Sequence, residues 1–318
     1  MREVKYLSPS SLNTFETDKH EFFYNYLADT RLPRQPQTEP MSVGSAFDAY
    51  VKSALYTDLF GKANEQFEFT TLFEMQVEEH NRDFALEAGQ YTFDCYKETG
   101  AYAELLEDIT AGDEPQFEFT VRRDVDGVVL LGKPDCLYTR HDGFKVLLDW
   151  KVNGYCSKST TSPAKNFKMV IDAWTEDDAK PSRNNLKAHK NYEPKMVGDY
   201  EIGTLPFEEG GKKWADQVAM YLWTLGEPVG SPAIVAVDQL ACKPHKPYPL
   251  VRVAQHRGQL SVEFQEQLFN RLKRAWDNIQ DGYIFTDMTR EDNDNELAML
   301  NNSATCMGGS DIFSDLRF

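Results

Sequence analysis

The chain reads as an α/β protein in which a central sheet, built on an antiparallel meander, is flanked by helices. Three observations carry that reading. Residues 116–152, "QFEFTVRRDVDGVVLLGKPDCLYTRHDGFKVLLDWKV", are apolar and β-branched runs separated by "DVDG" and "RHDG", two segments closing on glycine as tight turns between antiparallel strands do. Before them, apolar residues recur at helical spacing. After them come two more strand-like runs, each next to an amphipathic stretch.

The elements follow in order. "LSPSSLNTFETDKHEFFYNYLADT" opens with Ser8 and Ser10 as helix caps and continues with Leu12, Phe15, Phe22, Phe23 and Tyr26 near helical spacing. "SVGSAFDAYVKSALYTDLF" carries one apolar face through Val43, Phe47, Tyr50, Val51 and Leu55, and residues 72–108 read as helical with acidic groups outside. The meander is expected as three strands. Residues 152–213 show no strong periodicity and are rich in Ser, Thr, Asn, Pro and Lys. A helix is expected at "KKWADQVAMYLWTL", strands at "AIVAVDQLAC" and "YPLVRVAQH", and a further helix at "SVEFQEQLFNRLKRAWDNIQDG". The end, "TDMTREDNDNELAMLNNSATCMGGSD", is acidic and poor in core residues, as flexible segments are. The expected organisation is therefore one domain over residues 1–285, with a Lys-rich insertion at about 152–210, and an acidic flexible tail over 286–318.

Composition excludes several classes. A net charge of -17 argues against a protein that coats nucleic acid by global attraction, although it leaves room for an enzyme with a local basic groove. The five cysteines (Cys95, Cys136, Cys156, Cys242, Cys306) are scattered without a CxxC pair, so zinc, an iron–sulfur cluster and a disulfide framework are not expected. The opening "MREVKYLSPSS" has no apolar h-region and no run is long enough to span a bilayer. No membrane association and a cytoplasmic location are expected.

The chemistry concentrates in "GKPDCLYTRHDGFKVLLDWK", residues 132–151. Asp135, Asp149 and Lys151 stand at the ends of apolar runs, and burying such charges is costly unless something compensates. In a strand Asp149 and Lys151 share a face, with Trp150 opposite, and the adjacent strand can bring Asp135 to the same face. "DAK" at residues 178–180 and "EPK" at residues 193–195 have the same local form but lack that setting. On the strands alone two readings stand: the three groups satisfy one another as a buried ion pair, or they converge to hold a hard divalent cation for phosphodiester hydrolysis. Glu118, on the first strand, either joins the acids or faces solvent.

"GKPD…LLDWK" resembles the second and third motifs of the PD-(D/E)xK nuclease superfamily. Three other segments are similar to its RecB-like or Cas4-like exonuclease branch, which includes bacteriophage exonucleases. They are the Ser-rich opening "LSPSSLNTF…FFYNYL", the helix "GSAFDAYV", and "QVAMY", the only QxxxY pattern in the chain. The resemblance covers residues 7 to about 225 with gaps. It implies a restriction-endonuclease-like core with a central mixed sheet, and a Mg²⁺- or Mn²⁺-dependent DNA exonuclease of recombination or DNA degradation. It further implies Asp135 and Asp149 as metal-binding carboxylates, the main-chain carbonyl of Trp150 as an added ligand, Lys151 as catalytic lysine, and Gln217 and Tyr221 as braces that contact DNA. Where the branch carries a metal-binding His, this chain has Asp48, a harder ligand suited to the same ions. The cysteines of the iron–sulfur members are missing, so no cluster is expected. DNA is the implied partner, and a single-strand annealing protein and a homo-oligomer are further partners known in the family. A structure- or sequence-specific endonuclease on the same fold and a non-catalytic DNA-binding module are the alternatives.

Residues 152–196 hold eight Lys or Arg against five Asp or Glu, a local charge of +3 (8 − 5). Lys168, Arg183, Lys187 and Lys190 are therefore candidates for phosphate contacts, and Trp174 and Tyr192 for base stacking. A solvated surface insertion is the competing reading of this stretch.

Overall fold

Ser8 starts the first helix because its hydroxyl accepts a bond from the Ser11 amide while its own amide donates to the Ser11 hydroxyl, with Pro9 fixing the first helical residue. The computed structural model describes residues 1–30, 34–61, 64–117, 119–157, 167–172, 192–197, 208, 212–244 and 250–308. Its principal helices are α1 (Pro9–Thr17), α2 (Lys19–Phe22), α3 (Glu39–Phe60), α4 (Phe69–Gln76), α5 (Arg82–Glu98), α6 (Ala101–Thr110), α7 (Lys212–Thr224), α8 (Val262–Gln280) and α9 (Arg290–Gly308). The opening helical stretch is broken in two. Asp18 adopts an extended backbone, and its carboxylate caps α2 by accepting from the Glu21 amide. A π-helical turn over Phe23–Leu27 follows.

The strands are β1 (Asp113–Phe117), β2 (Val121–Val125), β3 (Val128–Gly132), β4 (Cys136–Thr139), β5 (Lys145–Asn153), β6 (Phe167–Asp172), β7 (Tyr192–Val197), β8 (Ile234–Lys243) and β9 (Leu250–Gln259). Seven of them form a mixed sheet in the order β1-β4-β5-β8-β9-β6-β7, with β5 and β8 parallel and every other pairing antiparallel. This is the expected α/β, restriction-endonuclease-like arrangement. The meander differs in detail from three long strands. Pro134, which has no amide to donate, falls between β3 and β4, so the second run divides. β2 and β3 peel away as a separate two-stranded ribbon. Leu7 holds that ribbon, its amide donating to Val129 and its carbonyl accepting from Leu131.

Alternation along β5 sorts its residues into two apolar layers. Leu147 packs with Val218, Tyr221 and Trp223 of α7 and with α1 and α8, whereas Val146, Leu148 and Trp150 pack with Phe47 of α3, Tyr96 of α5 and Leu105 of α6. Helix α3 lies tight on α5 because Gly89 has no side chain; a Cβ there would stand 2.5 Å from the Ala46 Cβ. This contact fixes the height of Asp48, two residues on. The helical stretch 72–108 is interrupted twice, at Val77 and Glu78, whose backbones are extended, and at Gly100, whose φ of +78° is one that glycine adopts without strain.

Two segments depart from expectation. Within the Lys-rich insertion, β6 and β7 pair as antiparallel strands and continue the sheet past β9. Pro194 lies in β7 at the sheet's outer side, where a missing amide is tolerated. The stretch expected as a flexible tail is helical over Arg290–Gly308. Leu297, Leu300 and Ala304 enter the same apolar layer as Leu27 and Phe285. The Asn293 carbonyl oxygen accepts from the Ile284 and Phe285 amides, and Asn301 bonds Asp29 in both directions. Few but well-placed apolar residues, together with two asparagines, dock a helix that composition alone reads as tail. No helix among the described residues is long and apolar enough to cross a membrane.

The docking has a measurable consequence. Leu297→Ala removes a side chain that is 3% exposed and is expected to lower unfolding stability by about 2–5 kcal/mol in urea denaturation. A loss below about 0.5 kcal/mol, the usual range for surface positions, would show that α9 is not part of the core.

Candidate active site

Asp135 precedes β4, and Asp149 and Lys151 lie on β5. The register that pairs Cys136 with Leu148 sets Asp135 beside Asp149 on the face turned toward α7. The Trp150 amide donates to Asp135 Oδ2 at 3.1 Å, locking the first carboxylate to the strand that bears the second. Asp149 is almost fully enclosed, and the Lys151 ammonium contacts its Oδ2. From α7, the Gln217 amide donates to Asp149 Oδ1 at 3.2 Å and to the Tyr221 hydroxyl at 3.0 Å. Four residues apart, Gln217 and Tyr221 share a helical face, so α7 closes the site from above β5.

A second helix reaches the site from the opposite side of the sheet. Asp48 on α3 lies against Lys52, one turn further on, with 2.6 Å from Nζ to Oδ1 and 2.7 Å to Oδ2. The same ammonium is 3.1 Å from Asp135 Oδ1, and the Gln76 amide donates to Asp48 Oδ2 at 2.9 Å. Lys52 thus ties Asp48 to the β4–β5 carboxylates. The Trp150 side chain turns away into the α3–α5 layer, its ring 6.5 Å from Phe47 and 5.9 Å from the Lys52 ammonium.

Burial, and then repulsion from Asp135, raises the Asp149 carboxyl to about 7, against the lowering pull of Lys151. Burial likewise pushes the Tyr221 phenol up, leaving it a neutral hydroxyl. The site opens onto a cleft of about 1000 Å³ whose walls include Arg34, Asp48, Lys133, Asp135, Lys151 and Trp214. A neighbouring hollow of about 430 Å³ shares Lys133 and is lined by Ser8, Ser10, Gln217 and Tyr221.

Among the described residues, no three His, Cys, Asp or Glu side chains form a ready-made metal cage; Asp48 and Asp135 are instead bridged by an ammonium. The donor set nevertheless fits a hard divalent ion. Asp135 and Asp149 are close enough for their charges to repel, and each carboxylate offers about four lone-pair positions, of which hydrogen bonds and ion pairs engage only part. Oxygen ligands of this kind suit Mg²⁺ or Mn²⁺.

The structure therefore brings together Asp48, Asp135, Asp149, Lys151, Gln217, Tyr221 and the Trp150 backbone. Lys168 lies on β6, with its backbone paired to Val253. Arg183, Lys187, Lys190, Trp174 and Glu118 lie outside the described residues, and Tyr192 is placed only as the first residue of β7. Sequence reasoning missed Lys52 and Gln76. Lys52 had a signal, since it follows Asp48 by four residues in "DAYVK", the spacing of a helical ion pair. Gln76, from another helix, had none.

A family model described as the PD-(D/E)XK nuclease superfamily matches residues 6–170. That match spans more than half of the chain, and the chain belongs to this superfamily. No curated protein matches it. Among solved structures it is similar to a protein from Eubacterium rectale called "putative exonuclease", with 12% identity and a TM-score of 0.42 over 88% of this chain and 82% of that one. It is also similar to SSO0001, with 10% identity and a TM-score of 0.22 over 88% of this chain and 95% of that one.

The elevated Asp149 carboxyl makes a signed prediction for stability. In the unfolded chain the group ionises near its usual 3.8, but in the folded chain near 7. Folding is therefore penalised increasingly as pH rises through that interval, and uniformly above it. At about 1.4 kcal/mol per pKa unit the penalty amounts to a few kcal/mol. Asp149→Asn should raise the melting temperature in EDTA at pH 8 and leave it nearly unchanged at pH 4; equal shifts at the two pH values would contradict the assigned burial.

Proposed function

We propose that this protein is a divalent-metal-dependent deoxyribonuclease of the RecB-like branch that removes nucleotides from DNA ends. The observation that carries the proposal is the meeting of Asp135, Asp149 and Lys151 beside Gln217 and Tyr221, with Asp135 and Lys151 in the wall of the open cleft and Gln217 and Tyr221 in that of the neighbouring hollow. A divalent ion held by Asp135, Asp149 and the Trp150 carbonyl would polarise the scissile phosphate and make water acidic enough to attack near neutral pH. The chain's own groups supply the rest. Gln217 fixes the rotamer of Asp149, and the Trp150 amide fixes Asp135, so the two acids need little reorganisation when charge develops. The Lys151 ammonium is positioned to stabilise negative charge growing on the phosphate or to orient the attacking water. Tyr221, kept as a neutral hydroxyl, can hydrogen-bond a phosphate oxygen of the bound strand.

The basic insertion is the proposed grip on the rest of the DNA through Lys168, Arg183, Lys187 and Lys190. β6 lies three strand positions from β5, roughly 14 Å at the usual inter-strand spacing. That reach is about four base-pair steps of duplex at ~3.4 Å each, so contacts there would hold phosphates remote from the one being cut. Their role is position, not sequence readout. End selectivity is supported by the opening-helix and QxxxY resemblances, which distinguish the exonuclease branch.

Incubation of end-labelled linear DNA and covalently closed circular DNA, with and without Mg²⁺, tests the reading. Linear DNA should be consumed only with Mg²⁺, and closed circles should stay intact. Nicked circles would replace the exonuclease with an endonuclease. Asp149→Ala should abolish cleavage, and Lys151→Ala should slow it by on the order of 10²–10³, the range for removing one transition-state donor. Retention of full activity by Asp149→Ala would remove the site.

A further inference from the structure

Lys52 is completely buried, yet its ammonium sits among the acids of the cleft: 2.6 Å and 2.7 Å from the two Asp48 oxygens and 3.1 Å from Asp135 Oδ1. Resting on the metal-dependent reading above, we propose that Lys52 is a built-in cation, a positioning residue that fills the Asp48 side of the site and restricts it to one divalent ion at Asp135 and Asp149.

Three observations converge on this assignment. The first is lone-pair occupancy. Asp48 takes the Lys52 ammonium on both of its oxygens and the Gln76 side-chain amide on one of them, leaving few of the roughly four positions a carboxylate offers. Asp135 and Asp149 lie against one another on the Lys151 side of the site, and each gives one oxygen at most to a lysine. With both of its oxygens on the Lys52 ammonium, Asp48 is the acid least able to turn toward a metal.

The second is confinement. Lys52 has no solvent exposure, and its ammonium stands 5.9 Å from the Trp150 ring within the α3–α5 layer. For an arriving metal ion to displace it, the ammonium would have to move into apolar packing without a carboxylate, which is the costly arrangement for a buried charge. An ammonium so held behaves as a fixed part of the site.

The third is charge. Asp48, Asp135 and Asp149 against Lys52 and Lys151 leave one negative charge, from three acids and two amines. One divalent ion and one phosphodiester bring the sum to neutrality. A second divalent ion would leave two excess positive charges among these groups, two of which, Lys52 and Asp149, are shut off from water.

Manganese titration by calorimetry on the full chain tests the assignment, counting only the sites that Asp135→Ala removes. Wild type is expected to bind one Mn²⁺, Lys52→Met two, and Lys52→Arg, which keeps the charge, one. A role for Lys52 in packing alone would change melting temperature without adding a binding site. Two Mn²⁺ bound by wild type, or one by a folded Lys52→Met, would overturn the Lys52 assignment while leaving the nuclease reading in place. No Mn²⁺ bound by wild type would overturn both. Should Lys52→Met fail to fold, Lys52→Gln takes its place, with two Mn²⁺ again expected and one again overturning the assignment.

Discussion

Asp149 is an acid placed where an acid is expensive. It sits mid-strand, where an apolar run gives out, shielded from water and pressed against a second acid, an arrangement that opposes folding unless positive charge comes to it. Much of the surrounding architecture serves that need. Lys151 approaches from the same strand, Lys52 from α3 reaches the neighbouring Asp135, and Gln217 from α7 donates a hydrogen bond. The helices on both faces of the sheet each deliver one of these groups, so the two apolar layers and the polar site between them are one construction.

A chain of net charge -17 repels DNA at a distance, so productive approach depends on local cations. Within the cleft these are Arg34, Arg82, Lys133 and Lys151. Attraction confined to one groove favours strands that enter it over strands that merely touch the surface. The superfamily match over residues 6–170 includes α1, α3 and the β4–β5 pair, the segments that converge on the acids. It ends before α7, which adds the closing side of the site.

The legible part of the fold was the part governed by short-range rules. The β4–β5 hairpin could be read because "RHDG" dictates its turn and strand alternation then dictates which side chains meet. Gln217 and Tyr221 could be placed on one helical face by spacing alone. What escaped depended on contacts between distant segments. Asp48 could be matched to a ligand position by resemblance, but nothing local says that Lys52 would reach past it to Asp135, 83 residues away. The docking of α9 was hidden in the same way. Its acidic surface residues dominate the composition, while the three apolar residues and the two asparagines that hold it find their partners at positions 27–29 and 282–285. The division of the meander at Pro134 was written in the sequence, in a residue that ends ladder bonding, but its consequence, a separate ribbon tied to Leu7, was a tertiary matter.

What remains to be seen directly is whether Asp135 and Asp149 form a single cation-binding corner, held in place before the cation arrives. Anomalous diffraction from a crystal soaked in Mn²⁺ tests it most directly. One peak is expected within about 2.5 Å of oxygens from both carboxylates, as hard-cation coordination requires, with the Lys52 ammonium still beside Asp48. A peak bound only through Asp48, or carboxylates that take up no metal at saturating Mn²⁺, would contradict it.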